Sequence, residues 1–389
     1  MTETAAFRLP RPEDGRVLIV EDNKFNRDLM AGVLSLAGIT DLAFAADGAE
    51  GLVRVAEFDP DLVILDLMMP VMDGHEFLRR LKADPARQDL PVLVATAITD
   101  QDTRNATFDG GAVDYIEKPI DRRELTARVT VHLKNRLLLR HLQRFHDRLA
   151  QDLATARSMQ EALLPSPTLV GEIATRYGLK VESLFTPSDE LGGDLWGLIP
   201  IDDHRLAAFT ADFTGHGVAA SINTFRLHVL LDRLGPRADP AELLARLNAE
   251  LLPILTRGQF ATMAVAVIDR SDHSLTVASA GGPTPIVGRG GYIRRLPLGA
   301  PALGITPDAA FVSRRMEFPP GSFVLMYSDA MIESTDPGGA QLGEAGLAGL
   351  VAEAFAIGGD RPLAHLATAL RDFSHDRVAD DLTAAWLSW

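Results

Sequence analysis

The feature that most constrains this chain is a long stretch near its middle that lacks helix breakers. Residues 121–164 contain no glycine and no proline, the two residues least compatible with a helix interior. Before this stretch, short apolar runs alternate with amphipathic segments, and after it the sequence is rich in strand-like runs and glycine turns. A chain of 389 residues with this pattern predicts two domains joined by a helical connector.

The connector carries a heptad pattern. Residues on one face recur at alternating steps of four and three, with one polar member: Leu138, Leu142, Phe145, Leu149, Asp152, Ala156, Met159 and Leu163. This spacing is typical of a coiled coil, so we expect the helix to pair with a second copy of itself. A basic stripe also follows the helix: Arg136, Arg140, Arg144 and Arg148. Such a stripe is typical of a solvated face, and contact with an acidic partner is the alternative.

Five strand-like runs precede the connector, with helical patterns between them. They read RVLIV, LAFAA, LVILD, PVLVAT and DYIEKP. Regular alternation of strand and helix predicts an α/β domain with a parallel sheet and helices on both faces. In such a domain, ligands bind at the carboxyl ends of the strands.

Polar residues suited to phosphate chemistry lie at these strand ends: Glu21, Asp22, Asp66, Thr96 and Lys118. Three carboxylates placed together repel one another unless a divalent cation neutralises them. A carboxylate can attack a phosphoryl group and hold it, while Mg²⁺ and a lysine offset the charge of the transferring oxygens. Any one of these residues alone fits an ordinary strand end, but all five in order favour a phosphoryl-transfer site.

Residues 15–130 resemble the receiver domain of bacterial response regulators at every diagnostic position. The resemblance implies a doubly wound, five-stranded, flavodoxin-like fold with Asp66 as the phosphoacceptor. It also implies roles for the neighbouring residues: Mg²⁺ binding by Glu21, Asp22, Asp66 and the Met68 carbonyl, switching by Thr96 and Tyr115, and phosphate contact by Lys118. Receivers take phosphate from a histidine kinase or phosphotransfer protein and then change the face formed by their last two helices.

The C-terminal half predicts an α+β domain with antiparallel sheets, because many strand-like runs are interrupted by a few helical patterns. Four acids lie in turn-like settings beside those runs: Asp194, Asp212, Asp329 and Asp380. If they converge, two Mg²⁺ or Mn²⁺ ions would offset their repulsion and activate water for phosphate monoester hydrolysis. Acids at turns are common, so the spacing alone also fits unrelated turns.

Residues 157–389 resemble the protein phosphatase 2C (PPM-type) superfamily, in the bacterial branch with the stage II sporulation phosphatase. The resemblance is carried by SMQEALLP, GGD, DFTGHG, PPGSFVLMYSDAMIES and DDLT. It implies a β-sandwich flanked by helices and a catalytic two-metal site: Asp212 with the Phe213 carbonyl as the bridging position, Asp329 and Asp380 at one ion, and Asp194 at the other. The expected domain bounds are a tail at 1–15, the receiver at 16–130, the connector at 131–165 and the phosphatase at 166–389.

Three positions depart from that family's pattern. Gly197 stands where an acid is common, Gly282 stands in a turn that often reads AGHNP, and Ala330 replaces the glycine of SDG. These departures keep a second hypothesis open, an adaptor with a degenerate phosphatase-like domain that sequesters a sigma factor or delivers it to a protease. His216 would contact substrate, carry a proton, or only shape the loop beside Asp212.

The favoured interpretation is a response regulator in which phosphorylation of Asp66 controls a Ser/Thr phosphatase. The family branch implies a phosphorylated anti-sigma-factor antagonist as substrate. Absence of cysteine excludes a cysteine phosphatase. A formal net charge of −15 argues against a nucleic-acid binder, including a DNA-binding response regulator. With no apolar run near the ~20 residues that span a bilayer and no apolar signal core, we expect a cytoplasmic protein without membrane contact.

Overall fold

The computed structural model describes residues 9–97, 108–188, 191–215, 217–235, 237–296, 298–357, 359, 361–375 and 380–389. The chain divides into two compact units, Met1–Ala150 and Gln151–Trp389. Among the described residues, no helix combines the length and the hydrophobicity that a membrane span requires.

The first unit is built on a five-stranded parallel sheet. Its strands are β1 (Arg16–Val20), β2 (Asp41–Ala45), β3 (Leu62–Asp66), β4 (Val92–Thr96) and β5 (Asp114–Glu117). They lie in the order β2-β1-β3-β4-β5, which is the flavodoxin-like order and confirms the predicted fold class. The helices between them are α1 (Lys24–Leu36), α2 (Gly48–Phe58) and α3 (Gly74–Lys82). β3 and β4 are buried along their whole length, as expected of central strands covered on both faces.

One helix, α4 (Arg122–Glu161), contains both the end of the first unit and most of the predicted connector at 131–165. Leu125, Val129 and Leu133 bury its first turns in the same apolar cluster as α1. Further along, Arg140 donates hydrogen bonds to Asp59 and Asp61.

The interpretation of the basic stripe as a solvated face is wrong for two of its four arginines. Arg140 is paired with two acids, and the half-buried Arg136 donates to the carbonyl of Asp89 at 3.3 Å. Arg144 and Arg148 are exposed, as expected of a solvated face.

The second unit contains two antiparallel five-stranded sheets. Their strands are β6 (Lys180–Thr186), β7 (Asp194–Pro200), β8 (Arg205–Phe213), β9 (Ala261–Asp269), β10 (Ser274–Ala280), β11 (Ile286–Arg289), β12 (Tyr292–Arg295), β13 (Arg314–Glu317), β14 (Ser322–Tyr327) and β15 (Leu382–Ser388). The sheet orders are β13-β10-β9-β8-β7 and β12-β11-β14-β15-β6. Trp196 and Ala266 from the first sheet share one core cluster with Val324 and Ala385 from the second, so the sheets pack face to face.

Helices flank this sandwich. They are α5 (Pro167–Tyr177), α6 (Val218–Leu234), α7 (Pro240–Leu251), α8 (Ala330–Glu333), α9 (Gly343–Ile357) and α10 (Pro362–Ser374). α6 and α7 share an apolar cluster with β8 and β9, whereas α9 and α10 share one with β14 and β15. The predicted β-sandwich flanked by helices is therefore confirmed.

Helix α5 was not predicted, since the sequence after Pro167 reads as β-rich. Ser166 caps its start by accepting a hydrogen bond from the Leu169 amide at 3.1 Å, and Pro167 occupies the first turn. Gly178 ends the helix with a left-handed φ of 57°. The Ser-Pro pair and the later glycine are the local signals for this helix.

Candidate functional site

The carboxyl edge of the first sheet brings three acids together. Oxygens of Glu21, Asp22 and Asp66 lie within 4.8 Å of one another. Glu21 and Asp66 are buried, whereas Asp22 is exposed. Among the described residues this is the one group of acids and histidines compact enough to share a metal ion in this geometry. Carboxylate oxygens are the ligands that Mg²⁺ prefers, so these residues fit such an ion.

Lys118 is fixed against this cluster. Its Nζ donates to Glu21 Oε2 and to Asp66 Oδ2, both at 2.7 Å. Burial works against its charged form, but the hydrogen bonds to Asp66 and Glu21 outweigh burial and raise the pKa of Lys118. The other carboxylate oxygen of Asp66 accepts from the Met68 amide at 3.2 Å. The side chain of Asp66 is therefore held at both oxygens.

The two residues expected to form a switch lie on the neighbouring strands. Thr96 is buried at the end of β4, and its carbonyl accepts from the Lys118 amide at 2.8 Å. Tyr115 is half-buried on β5, with the guanidinium of Arg128 5.5 Å from its ring centroid. Arg128 belongs to α4 and also donates to Asp114. The long helix therefore contacts the switch strand directly.

In the second unit, strand pairing places two of the four acids opposite each other. Asp194 on β7 is registered with Asp212 on β8. Gly193 accepts a hydrogen bond from the Phe213 amide at 3.1 Å, and a Cβ on Gly193 would lie 2.6 Å from the Phe213 carbonyl oxygen. This close approach requires glycine before Asp194.

Ser328 draws the other two acids to the same end of the sandwich. Its amide donates to the Thr383 carbonyl at 2.9 Å, and its Oγ accepts from the Thr383 amide at 3.0 Å and donates to the Asp381 carbonyl at 3.1 Å. Because Asp329 follows Ser328 and Asp380 precedes Asp381 in the chain, these bonds hold both acids at one end of the second sheet, and the charges of both acids act on Asp212.

The electrostatics of this second cluster favour bound cations. Burial and the charges of Asp329, Asp380 and Asp381 raise the pKa of Asp212 to about 8. Burial and the charge of Asp212 raise the pKa of Asp194 well above its usual range, and Asp194 Oδ2 is buried without a hydrogen-bond partner. The acids therefore fit divalent cations, which prefer oxygen ligands and would offset the repulsion.

Asp381 organises the loop before Asp194, a role that the sequence analysis missed. This buried carboxylate accepts from the Gly193 amide at 2.6 Å, from the Ser188 amide at 2.8 Å and from Ser188 Oγ at 2.9 Å. A Cβ on Gly192 would lie 2.2 Å from Asp381 Oδ2. The sequence signal for this role was the second acid of the DDLT motif, which directly follows Asp380.

Gln160, near the end of α4, is a second missed residue. It is 2 % exposed, and its Nε2 donates to the Gly192 carbonyl at 2.8 Å. Its Oε1 accepts from the Gly192 amide at 3.3 Å. The end of the long helix therefore holds the backbone two residues before Asp194. Gln160 lies inside the SMQEALLP motif, so the sequence marked the segment without indicating its contact.

The departures from the family pattern have local packing reasons in two cases. Gly197 is registered with Phe209, and a Cβ at 197 would lie 2.4 Å from the Phe209 ring. By strand alternation, position 197 faces the side of the sheet opposite to Asp194. Ala330 begins α8, where a side chain is accommodated. His216 lies outside the described residues.

Comparisons with known families agree with both domains. The model of the stage II sporulation protein E (SpoIIE) family matches residues 202–389, and that of the response regulator receiver domain matches residues 17–130. The chain therefore contains a response regulator receiver domain followed by a SpoIIE-type, PP2C-like domain.

Individual relatives match part of this chain. The DNA-binding dual master transcriptional regulator RpaA of Synechocystis sp. is 40 % identical over 119 residues, which is 31 % of this chain and 49 % of RpaA. Response regulator MprA of Mycobacterium ulcerans is 39 % identical over 139 residues, or 36 % of this chain and 56 % of MprA. The chain thus spans about half the length of these curated relatives.

Among solved structures, the SiaA-PP2C domain of Pseudomonas aeruginosa matches with a TM-score of 0.55 at 18 % identity. The match covers 63 % of this chain and 97 % of that domain. It supports the fold of the output domain.

Proposed function

We propose that phosphorylation of Asp66 controls a metal-dependent phosphatase in this response regulator, and that the phosphatase acts on phosphoserine or phosphothreonine in a protein. The observation that carries this proposal is the convergence of acids around Asp212, whose pKa is raised to about 8 by burial and neighbouring carboxylates. Without bound cations, the repulsion between these buried carboxylates would only destabilise the output domain.

The receiver side of the proposal assigns Mg²⁺ to Glu21, Asp22, Asp66 and the Met68 carbonyl. Asp66 would accept the phosphoryl group from a histidine kinase or phosphotransfer protein: its oxygen forms the new bond to phosphorus as the bond to the donor's histidine nitrogen breaks. Lys118, already 2.7 Å from Asp66 Oδ2, would neutralise the phosphoryl oxygens.

In the output domain, two Mg²⁺ or Mn²⁺ ions would be held by Asp194, Asp212, the Phe213 carbonyl, Asp329 and Asp380. When bound, such ions lower the pKa of water and offset the charge of a phosphate ester. Asp381 would keep the Gly193 amide, and with it Asp194, in place. Ser328 would fix the spacing between Asp329 and Asp380. These contacts pre-form the site, which limits the reorganisation needed when substrate binds.

Control would pass along α4. At one end Arg128 contacts the Tyr115 ring, and at the other Gln160 holds Gly192. A change in the switch strand that moves this helix would alter the loop that carries Asp194. The SpoIIE-type output domain favours a phosphorylated anti-sigma-factor antagonist as the substrate.

The test is phosphate release from a phosphorylated antagonist in the presence of Mn²⁺. We expect turnover by the parent protein and loss of at least about a hundredfold in Asp212→Ala, since removal of a bridging ligand disables metal catalysis. Asp308→Ala, at an exposed acid of the same unit, is the matched control. Equal turnover by Asp212→Ala and the parent would refute the proposal. Binding of the antagonist or a sigma factor without turnover and without Mn²⁺ uptake in the output domain would support the adaptor hypothesis.

A further inference from the structure

The two sheets of the second unit have their outermost strands on the same side of the sandwich. β14 packs against β8 and β15 against β7, so the two sheets are stacked in the same strand direction. β12 is therefore the outermost strand of one sheet and β13 of the other, both on the side away from β7. Neither strand carries a residue of the metal site proposed above.

Arg294 on β12 and Arg314 on β13 extend the inner faces of the two sheets to this edge. Arg294 is registered with Val287 and Arg314 with Val277, and both valines belong to the core between the sheets. Residues directly opposite on paired strands lie on the same face, so both arginines lie on the inner side. They are exposed, and in the described part of the chain neither side chain has an ion pair or a hydrogen bond. We call this pair the edge arginines.

The next residue on each strand is also an arginine, but its charge is already paired. Arg295 forms an ion pair with Glu344, and Arg315 forms one with Asp272. By strand alternation both lie on the outer faces of their sheets, as does the exposed Glu317. The positive charge that is free to act on a partner at this edge therefore belongs to the edge arginines.

The edge arginines lie towards the end of the sandwich that carries the acids. The one on β12 is level with Val324 of β14, five residues before Asp329. The one on β13 is level with Ala208 of β8, four residues before Asp212. From the spacing between strands and the rise per residue, each arginine lies about 15–20 Å from one of these acids.

We propose that the edge arginines bind acidic residues of the protein substrate, about five or six positions from the phosphorylated residue in an extended segment. This rests on the proposed phosphatase function, because it places the phosphorylated residue at the metal ions. A guanidinium forms paired hydrogen bonds with a carboxylate, so two exposed guanidiniums without partners favour an acidic segment.

The charge of the rest of the chain explains why such a segment needs these arginines. The formal net charge is −15, and the carboxylates of Asp329, Asp380 and Asp381 act on Asp212 beside the substrate. This field repels an acidic segment, and the edge arginines offset the repulsion along one edge of the sandwich. The same net charge disfavours nucleic acid, whose phosphates are more densely charged than an acidic peptide.

The first measurement is the binding of peptides to the full chain, followed by fluorescence anisotropy at low ionic strength. Two unphosphorylated serine peptides are compared, with glutamates or glutamines about five and six positions on either side of the serine. We expect the glutamate peptide to bind about tenfold more tightly, and Arg294→Glu and Arg314→Glu each to lose most of that difference. Lys180→Glu, at an exposed lysine where β6 pairs with the far end of β15, is the matched control and should keep it.

Equal affinity for the two peptides in the parent would overturn the proposal, as would an unchanged preference in both edge variants. Tighter binding of a DNA duplex than of the glutamate peptide would overturn the choice of a protein partner.

The second measurement is phosphate release with Mn²⁺ from the same peptides phosphorylated on serine. We expect kcat/KM to be about tenfold higher for the glutamate phosphopeptide, through a lower KM, and the edge variants to lose this preference. The ratio between two peptides in one variant does not depend on how much of that variant is folded. If the parent hydrolyses neither phosphopeptide but the edge arginines bind the glutamate peptide, the binding surface stands and the proposed function fails. If the parent hydrolyses both equally well, the reverse holds.

Discussion

Asp381 shows how a residue that binds no substrate can decide whether a site forms. Its carboxylate holds the Gly193 amide at 2.6 Å and both polar groups of Ser188. We expect Asp381→Ala to weaken Mn²⁺ activation of phosphate release by about ten- to a hundredfold, the usual effect of losing a group that orients metal ligands. The measurement is the Mn²⁺ concentration needed for half-maximal turnover. Asp308→Ala is the control, and an unchanged Mn²⁺ requirement in Asp381→Ala would contradict the prediction.

The raised pKa of Asp212 predicts a pH dependence of stability. Because its folded-state pKa, about 8, lies above the unfolded value of 3.8, folding favours the protonated form. The contribution of protonated Asp212 to the free energy of unfolding is fully present below about pH 4 and is lost as the pH rises towards 8. Without divalent cations, the thermal midpoint of the output domain should therefore fall between pH 5 and pH 8, and less steeply in Asp212→Asn. Mn²⁺ should raise the midpoint most at pH 8. If the thermal midpoint changed with pH equally in the parent and in Asp212→Asn, the raised pKa of Asp212 would not be the cause of the pH dependence.

Sequence patterns identified the acids but not the residues that hold them. Asp194, Asp212 and Asp329 lie in short motifs that can be recognised from the sequence alone. Gln160 and Asp381 act through backbone groups at positions 192 and 193, far away in the chain. Such contacts depend on tertiary pairing, and no local propensity indicates them.

At the scale of elements, α4 presents an apolar stripe to solvent. Leu142, Phe145, Leu149 and Met159 are each about half exposed or more, whereas Leu163, the last member of the predicted heptad pattern, packs into the core of the second unit. Exposed heptad positions of this kind are typical of an interface between helices.

We expect this stripe to pair two copies of the chain. Phe145→Glu places a charge in the interface and should lower the dimer affinity by at least about tenfold. Light scattering over a range of concentrations, with and without an acyl-phosphate mimic at Asp66, measures the mass. Gln143→Glu adds the same charge outside the stripe and should remain dimeric. A monomeric parent under both conditions would refute the pairing.

Secondary structure followed the sequence where hydrophobic patterns were long. β8, β9 and β10 coincide with the strand-like runs RLAAFTADF, ATMAVAVID and SLTVASA, which are apolar over most of their seven to nine residues. β7 begins at Asp194, which the sequence analysis placed in a turn-like setting because the glycines of the GGD motif precede it. Its strand character comes from pairing with β8 along seven residues, a tertiary effect.

At the scale of the whole molecule, one continuous helix carries contacts relevant to both chemical sites. Arg128 contacts Tyr115 on β5 of the receiver, and Gln160 contacts the backbone before Asp194. If the receiver controls the second domain through this helix, as we propose, the end of α4 must keep its hydrogen bonds to Gly192. A two-state change at the receiver would then shift the backbone of residues 192–194 through the helix.

Gln160→Ala removes both hydrogen bonds to Gly192 and should therefore uncouple the two sites. We expect the parent to change its rate of phosphate release when a small phosphodonor modifies Asp66, and Gln160→Ala to lose at least most of that change. Asp66→Asn cannot be phosphorylated at this position, so it gives the rate of phosphate release by the unmodified protein. Gln151→Ala, at an exposed glutamine of the same helix, is the matched control and should respond like the parent. Phosphorylation of Asp66 must be measured in each variant, because Gln160→Ala should still be phosphorylated normally. If phosphorylation of Asp66 changed the rate of phosphate release in Gln160→Ala as much as in the parent, control would not depend on the hydrogen bonds between Gln160 and Gly192.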